Sequence, residues 1–327
     1  ATAAHRGIMR RYLSFVLLSL AVPATAGELS LYSPIQCDLT GPCYIQQYVD
    51  HDASDQASDF MCSGLSYDRH KGTDFALATT DMIATGVNVL ASADGIVSGV
   101  RDGMEDMRFS SENAADVEGR ECGNGVVIRH ADGWETQYCH LRKGSITAER
   151  GQQVKTGDVL GQVGMSGRAA FPHVHLSVRH NGKVVDPFDP DGTITCGEVE
   201  GDTLWADLPP YRAGGIVSIG TSAAVPEFDA IRGNTVPLPD ATSEALVIYA
   251  FLFGTRKGDI IRLSLEGPGG VLVERDTLMK RQQAQSFRAI SKKLTGPRWP
   301  AGQYHGSATL LRAGTVVEQQ ELTLTIP

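Results

Sequence analysis

The chain has 327 residues, of which 42% are hydrophobic and 20% charged, with a formal net charge of −9. That balance is too apolar for a disordered chain, and its 36 glycines show no collagen period. An acidic chain without a basic cluster is also a poor candidate for binding nucleic acid through phosphate contacts.

In chain order, the first element is a targeting segment. Met9-Arg10-Arg11 precedes the apolar run YLSFVLLSLAV, which is followed by Pro23-Ala24-Thr25-Ala26. A basic start, an apolar stretch of about eleven residues and an A-x-A site predict a secretory signal peptide cut after Ala26, with residues 1–8 lying upstream of it. A membrane anchor needs about twenty apolar residues. No later stretch reaches that length, so the mature chain is predicted to have no transmembrane segment and to be periplasmic or secreted.

The six cysteines suit an oxidising destination. Six allow fifteen pairings. Cys37 and Cys43 bracket a short Gly-Pro turn, which favours their pairing. Cys122 and Cys139 flank a segment whose Asp132-Gly133 reads as a hairpin turn, bringing its ends together. Cys62 and Cys196 are then left for each other. No C-x-x-C occurs, which argues against a cysteine zinc cluster.

Between Ala91 and Val178 the chain reads as short alternating strands separated by Gly, Asp-Gly and Asn-Gly. The exception is residues 101–121, a polar, acidic stretch longer than a hairpin loop. It is expected to be an inserted loop that buries too little apolar area to order itself firmly, either a mobile rim that a regulatory protein would move or a solvated insertion that never approaches a functional site. Near residue 200 the composition changes. Residues 201–215, with Pro209-Pro210 and Gly214-Gly215, read as a linker between a domain at 27–200 and one at 216–327. The latter has regularly spaced short strands and is expected to be an immunoglobulin-like β-sandwich.

The histidines carry the chemical signal. In 173–180, HVHLSVRH, period two places Val174, Leu176 and Val178 on one face and His173, His175 and Ser177 on the other. In DRHKGTDFAL, His70 and Asp74 stand an even four residues apart, so an extended segment presents both on one side. In TQYCHL the same alternation groups Thr136, Tyr138 and His140. Two histidines and a carboxylate suit a tetrahedral zinc with an open position, and two further histidines would serve proton transfer and oxyanion stabilisation. The iron facial triad uses the same ligand types, but its acid usually lies two residues from the first histidine, and export disfavours Fe(II).

Taken together, HKGTDFAL, ASADGIVSGV, GNGVVIRHADGWETQYCHL, VKTGDVLGQVGMSG and PHVHLSVRHNGKVVDP, spanning about residues 65–188, resemble the LytM or lysostaphin-type zinc metallopeptidases. The resemblance implies a mainly β chain whose peptidase domain has the lysostaphin-type, duplicated hybrid motif-like sheet. It implies a metalloprotease that hydrolyses the peptide cross-bridges of peptidoglycan in the cell wall. By position, His70, Asp74 and His175 would bind one Zn2+ per chain, and His140 and His173 would be the catalytic pair. Phe171 departs from the pattern, which usually has Gly before Pro-His, and is expected to reshape the cleft wall. The alternative is a catalytically silent LytM-like protein that binds cell wall or activates an amidase.

Overall fold

The computed structural model describes Thr2 and residues 29–194, 196–197 and 203–327. The predicted signal peptide lies outside these residues. The chain is mainly β, and its strands form two groups around two cores.

The first group begins with β1 (Cys43–Gln47), β2 (Thr73–Leu77), β3 (Asn88–Leu90), β4 (Gly95–Arg101) and β5 (Asn124–Arg129). It continues with β6 (Trp134–Leu141), β7 (Gln153–Val154), β8 (Val159–Gln162), β9 (His173–His180) and β10 (Lys183–Val185). Its main sheet runs β1-β2-β9-β6-β5-β4-β7, with β10 also paired to β9, and β3 pairs with β8 in a small separate sheet. Every pairing in it is antiparallel. Strand β9 follows the predicted alternation: Val174, Leu176 and Val178 are buried in the core. Phe75 of β2 lies opposite Val174, and Tyr138 and Thr136 of β6 lie opposite Leu176 and Val178. The opposite face therefore carries Asp74, His175 and Cys139 side by side.

Residues from far along the chain complete this core. Leu31 pairs in parallel with Trp205; its N–H donates to the Leu204 carbonyl at 2.7 Å and its carbonyl accepts from Ala206 at 2.9 Å. Tyr211 joins an aromatic cluster with Tyr48 and Phe60. Three disulfides close in the structure: Cys37–Cys43, Cys62–Cys196 and Cys122–Cys139.

The second group comprises β11 (Gly215–Ser222), β12 (Ala245–Thr255), β13 (Ile260–Gly267), β14 (Gly270–Leu278), β15 (Gln283–Lys293), β16 (Gly302–Arg312) and β17 (Thr315–Ile326). A three-stranded sheet β11-β12-β15 and a four-stranded sheet β14-β13-β16-β17 share the second core. The two groups meet closely. Phe253 of β12 packs in the first core, its ring centroid 4.6 Å from that of Tyr44. Gln46 donates to the Ala284 carbonyl at 2.9 Å, and Gln285 to the Tyr44 hydroxyl at 3.2 Å.

The polar stretch 101–121 contains a short helix, α1 (Ala114–Val117). Its apolar content was too small to order it, but polar groups hold it instead. The two carboxylate oxygens of Asp106 accept from the backbone N–H of Met165 at 2.7 Å and of Lys143 at 2.9 Å. The Asn124 side chain accepts from Met104 N–H at 2.8 Å.

Candidate metal centre

His70, Asp74 and His175 reach one point from three places. Asp74 and His175 are direct cross-strand partners on β2 and β9. His70 lies in the turn before β2 rather than on an extended strand. Gly72 permits that approach: a Cβ there would stand 2.5 Å from His175 Nε2 and 2.6 Å from the Leu176 carbonyl, too close for any side chain.

Among the described residues these three form the one group whose ligand atoms all lie within 4.8 Å of one another. His70 Nε2 is 3.2 Å from Asp74 Oδ1 and 3.1 Å from His175 Nδ1, and His175 Nδ1 is 2.8 Å from Asp74 Oδ1. His70 and Asp74 are buried, each 2% exposed. The His175 side chain is 15% exposed and opens the cluster at one corner.

Hydrogen bonds on the outside of the cluster fix the tautomers. His70 Nδ1 donates to the Tyr48 carbonyl at 2.7 Å, which leaves a lone pair on Nε2. The Ser177 hydroxyl donates its single proton to the Lys71 carbonyl at 2.8 Å. It can therefore only accept from His175 Nε2, 3.0 Å away, which leaves the lone pair of Nδ1 facing Asp74. Two imidazole lone pairs and a carboxylate thus converge in a buried space, an arrangement that repels itself unless a cation sits among them. Nitrogen and oxygen donors in this number fit zinc. The protonation energetics express the same demand. Burial disfavours a charged His70, but the charge and hydrogen bond of Asp74 outweigh it and raise the His70 pKa. Burial likewise opposes an ionised Asp74, and the facing His70 and His173 outweigh it, holding the carboxyl well below its usual range.

His173 and His140 complete the cluster. His173 lies on the same face of β9, opposite Ala76, with Nδ1 donating to the Phe171 carbonyl at 2.8 Å and Nε2 3.5 Å from Asp74 Oδ1. His140 Nδ1 donates to the Ser166 carbonyl at 2.7 Å. Its ring centroid is 4.6 Å from that of His173 and 6.1 Å from that of His175. Each therefore keeps a lone pair on Nε2. Burial holds the His140 pKa well below its ordinary value, with His173 and His175 adding to the effect, and burial also lowers His173. Both shifts favour the neutral imidazole.

The expected grouping of Thr136, Tyr138 and His140 on one face is corrected by the structure. Thr136 and Tyr138 point into the core, so strict alternation would send His140 there too. Instead His140 adopts φ 66°, beside a register break between Asn124 and Val126 on β5. Such an irregularity re-aims a side chain, and here it turns the imidazole to the His175 side. Its backbone N–H donates to the Cys122 carbonyl at 2.8 Å, and the Cys122–Cys139 disulfide spans the same place.

Sequence reasoning missed several groups. Ser177 was placed on the right face, but its part in setting the His175 tautomer was not seen. Tyr67, half-exposed, sets its ring 4.4 Å from that of His70; no spacing signal marks it. The carbonyls of Tyr48, Ser166 and Phe171 are backbone groups that residue identity cannot reveal.

Residues 68–187 match the profile of Peptidase family M23. Over 118 residues, 36% of this chain, the sequence is 36% identical to the DD-carboxypeptidase/endopeptidase Mpg of Neisseria meningitidis serogroup B. Over 117 residues it is 32% identical to the peptidoglycan DD-endopeptidase ShyA of Vibrio cholerae serotype O1. In both cases the match spans 22% of the relative's length, so the shared part is about a fifth of those proteins. The catalytic domain of the prophage-encoded M23 protein EnpA from Enterococcus faecalis is 29% identical, covering 46% of this chain and 92% of that one, with a TM-score of 0.29. The matched segment, which contains all five residues of the cluster, is an M23 peptidase-family domain.

Proposed function

We propose that the chain is an exported zinc metalloendopeptidase that hydrolyses peptide cross-bridges of peptidoglycan. In this reading His70, Asp74 and His175 hold one zinc ion, and His140 and His173 are the catalytic pair. The observation that carries it is the convergence of two imidazole lone pairs and one carboxylate in a buried pocket, with two more neutral imidazoles beside them. Zinc bound there supplies Lewis-acid polarisation and a water whose pKa falls to about 7.

The chain's own residues account for the remaining chemistry. A neutral imidazole with one fixed donor nitrogen and one free nitrogen can take a proton from an attacking water and return it to a leaving amine. Once protonated, the same Nε2 donates to the oxyanion that develops on the scissile carbonyl. The Phe171 and Ser166 carbonyls hold the two rings in the orientation this requires. The three disulfides support an oxidising, extracytoplasmic location. A partner acting on residues 101–121 is part of the same proposal, since Asp106 joins that stretch to the segment carrying Ser166. Residues 27–200 are assigned to the peptidase and 216–327 to a second β domain; Leu204, Trp205 and Tyr211 of the expected linker pack into the first core instead of spanning free between the two.

The test is the zinc-loaded protein on whole sacculi, with and without chelator, and mass spectrometry of the released fragments. Peptide-bond cleavage that chelation abolishes is expected. Stoichiometric zinc with no fragments released would replace this reading with that of a silent, wall-binding or amidase-activating protein.

A further inference from the structure

Beside the histidine cluster lies a second, mostly apolar cavity that the proposed chemistry does not use. It has a volume of about 200 Å³ and is bounded by Leu77, Phe171 and Pro172 from the first group of strands and by Phe251 from the second. At its edge stand Arg108 from the 101–121 stretch, and Asp229 and Arg232 from a short helix, α2 (Phe228–Gly233).

Its position relative to the cluster is set by Phe171. That ring stacks on His173, with centroids 4.4 Å apart and planes 27° from parallel, and the same side chain lines the cavity. Leu77 follows Ala76, the cross-strand partner of His173, and its N–H donates to the Pro172 carbonyl at 2.9 Å. The cavity is thus one residue further along β2 from the position facing His173. The Phe171 that replaces the expected glycine is its shared wall.

Its charge is unbalanced. Arg108 Nη1 is 2.9 Å from Asp229 Oδ1, and Arg232 binds the same oxygen. Two guanidinium groups share one carboxylate, which itself is largely exposed. An apolar floor with surplus positive charge at its rim suits a short aliphatic chain ending in a carboxylate. At about 30 Å³ per water-sized group, the volume holds roughly six heavy atoms.

We propose that this cavity is a specificity subsite, built by both strand groups, for an aliphatic, carboxylate-bearing side chain next to the scissile bond. The diamino-dicarboxylic acid residue of a peptidoglycan stem has that chemistry. The inference rests on the peptidase reading and deepens it. Arg108 and Arg232 take the carboxylate, while Phe171 and Phe251 cover the methylenes. The second strand group then contributes directly to substrate selection.

The experiment uses the whole zinc-loaded protein and two probes, a diaminopimelate-containing stem tetrapeptide and the same peptide with its side-chain carboxylate amidated. Binding is followed by calorimetry and cleavage by kinetics on the corresponding cross-linked dimers. Arg108→Gln with Arg232→Gln should raise Kd and KM for the acid about ten- to a hundredfold, the worth of a charge-assisted hydrogen bond, with kcat nearly unchanged. The amidated probe should bind weakly and be indifferent to both substitutions. Ala170→Leu, which adds bulk at another lining residue, should raise KM for both. Unchanged KM in these variants, or a loss confined to kcat, overturns the subsite while leaving the peptidase reading in place. Carboxylate-dependent binding by a protein that cuts nothing keeps the subsite and overturns the peptidase reading. Neither binding nor cutting overturns both.

Discussion

Ser177 Oγ lies 3.0 Å from His175 Nε2 and gives its only proton to the Lys71 carbonyl. That relation determines which nitrogen of His175 can face Asp74. Ser177→Ala removes the acceptor and frees the ring to change tautomer or rotate. Partners of this kind typically contribute about 10- to 100-fold to metal affinity. Competition with a zinc chelator should show a weakening of that size in Ser177→Ala, with the unfolding midpoint little changed. Unaltered zinc affinity would show that Gly72 packing alone orients His175.

His140 and His173 stand outside the three-residue ligand set. His140→Ala and His173→Ala should retain one zinc per chain by metal analysis and lose about 10²–10⁴-fold in kcat. Loss of zinc in either variant would make that residue a ligand and require a different assignment of the cluster.

The Cys122–Cys139 disulfide holds the strand ends where His140 takes its left-handed conformation. Cys122→Ser with Cys139→Ser should therefore lower kcat at least several-fold while leaving zinc content at one per chain, because His70, Asp74 and His175 do not depend on this bridge. Kinetics and metal analysis on the same preparation check it. Full activity in the double variant would mean that the Ser166 and Cys122 carbonyls suffice to aim His140.

Two histidines outside the cluster should give opposite pH dependences. Burial opposes a charged His51, but its hydrogen bond to Asp186, 2.8 Å away, and the charges of Asp186, Asp189 and Asp50 outweigh it and raise its pKa above 6.5. Its stabilisation is complete below pH 6.5 and is lost as pH rises through the raised value. Burial lowers His130, outweighing the Asp94 carbonyl and nearby acids, so its contribution is present above pH 6.5 and lost as pH falls. Urea unfolding of His51→Gln should show its largest deficit against the parent at pH 6 and a smaller one at pH 9. In His130→Gln the deficit should be largest at pH 8 and shrink toward pH 5. Equal deficits at both ends of either series would remove the linkage.

Much of the site was legible because β9 keeps period two without interruption. Val174, Leu176 and Val178 marked the core, so His173, His175 and Ser177 followed by geometry alone. The same rule failed on β6, where one left-handed residue reversed the face of His140; nothing in the residue type announces a positive φ at a histidine. His70 was placed with Asp74 by even spacing, yet it reaches the cluster from a turn, by virtue of Gly72. The 101–121 stretch was judged by apolar content, but Asp106 anchors it through backbone N–H groups whose positions only the folded chain defines. Phe253 and Trp205 entered the first core unannounced for the same reason: local patterns identify strands, whereas their partners depend on pairing across hundreds of residues.

Leu31 finds its hydrogen-bond partners at Leu204 and Ala206, and Asp74, already paired with Gln47, meets its second cross-strand partner only at His175. A growing polypeptide therefore emerges with two of its cluster residues, His70 and Asp74, long before the strand that assembles them exists. Until residue 206 has been made, the first core has no closing edge, and Phe253 arrives later still. Contacts of such separation form late, after the intervening loops have closed. The order of synthesis thus keeps the histidine cluster unassembled at least until β9 has been made.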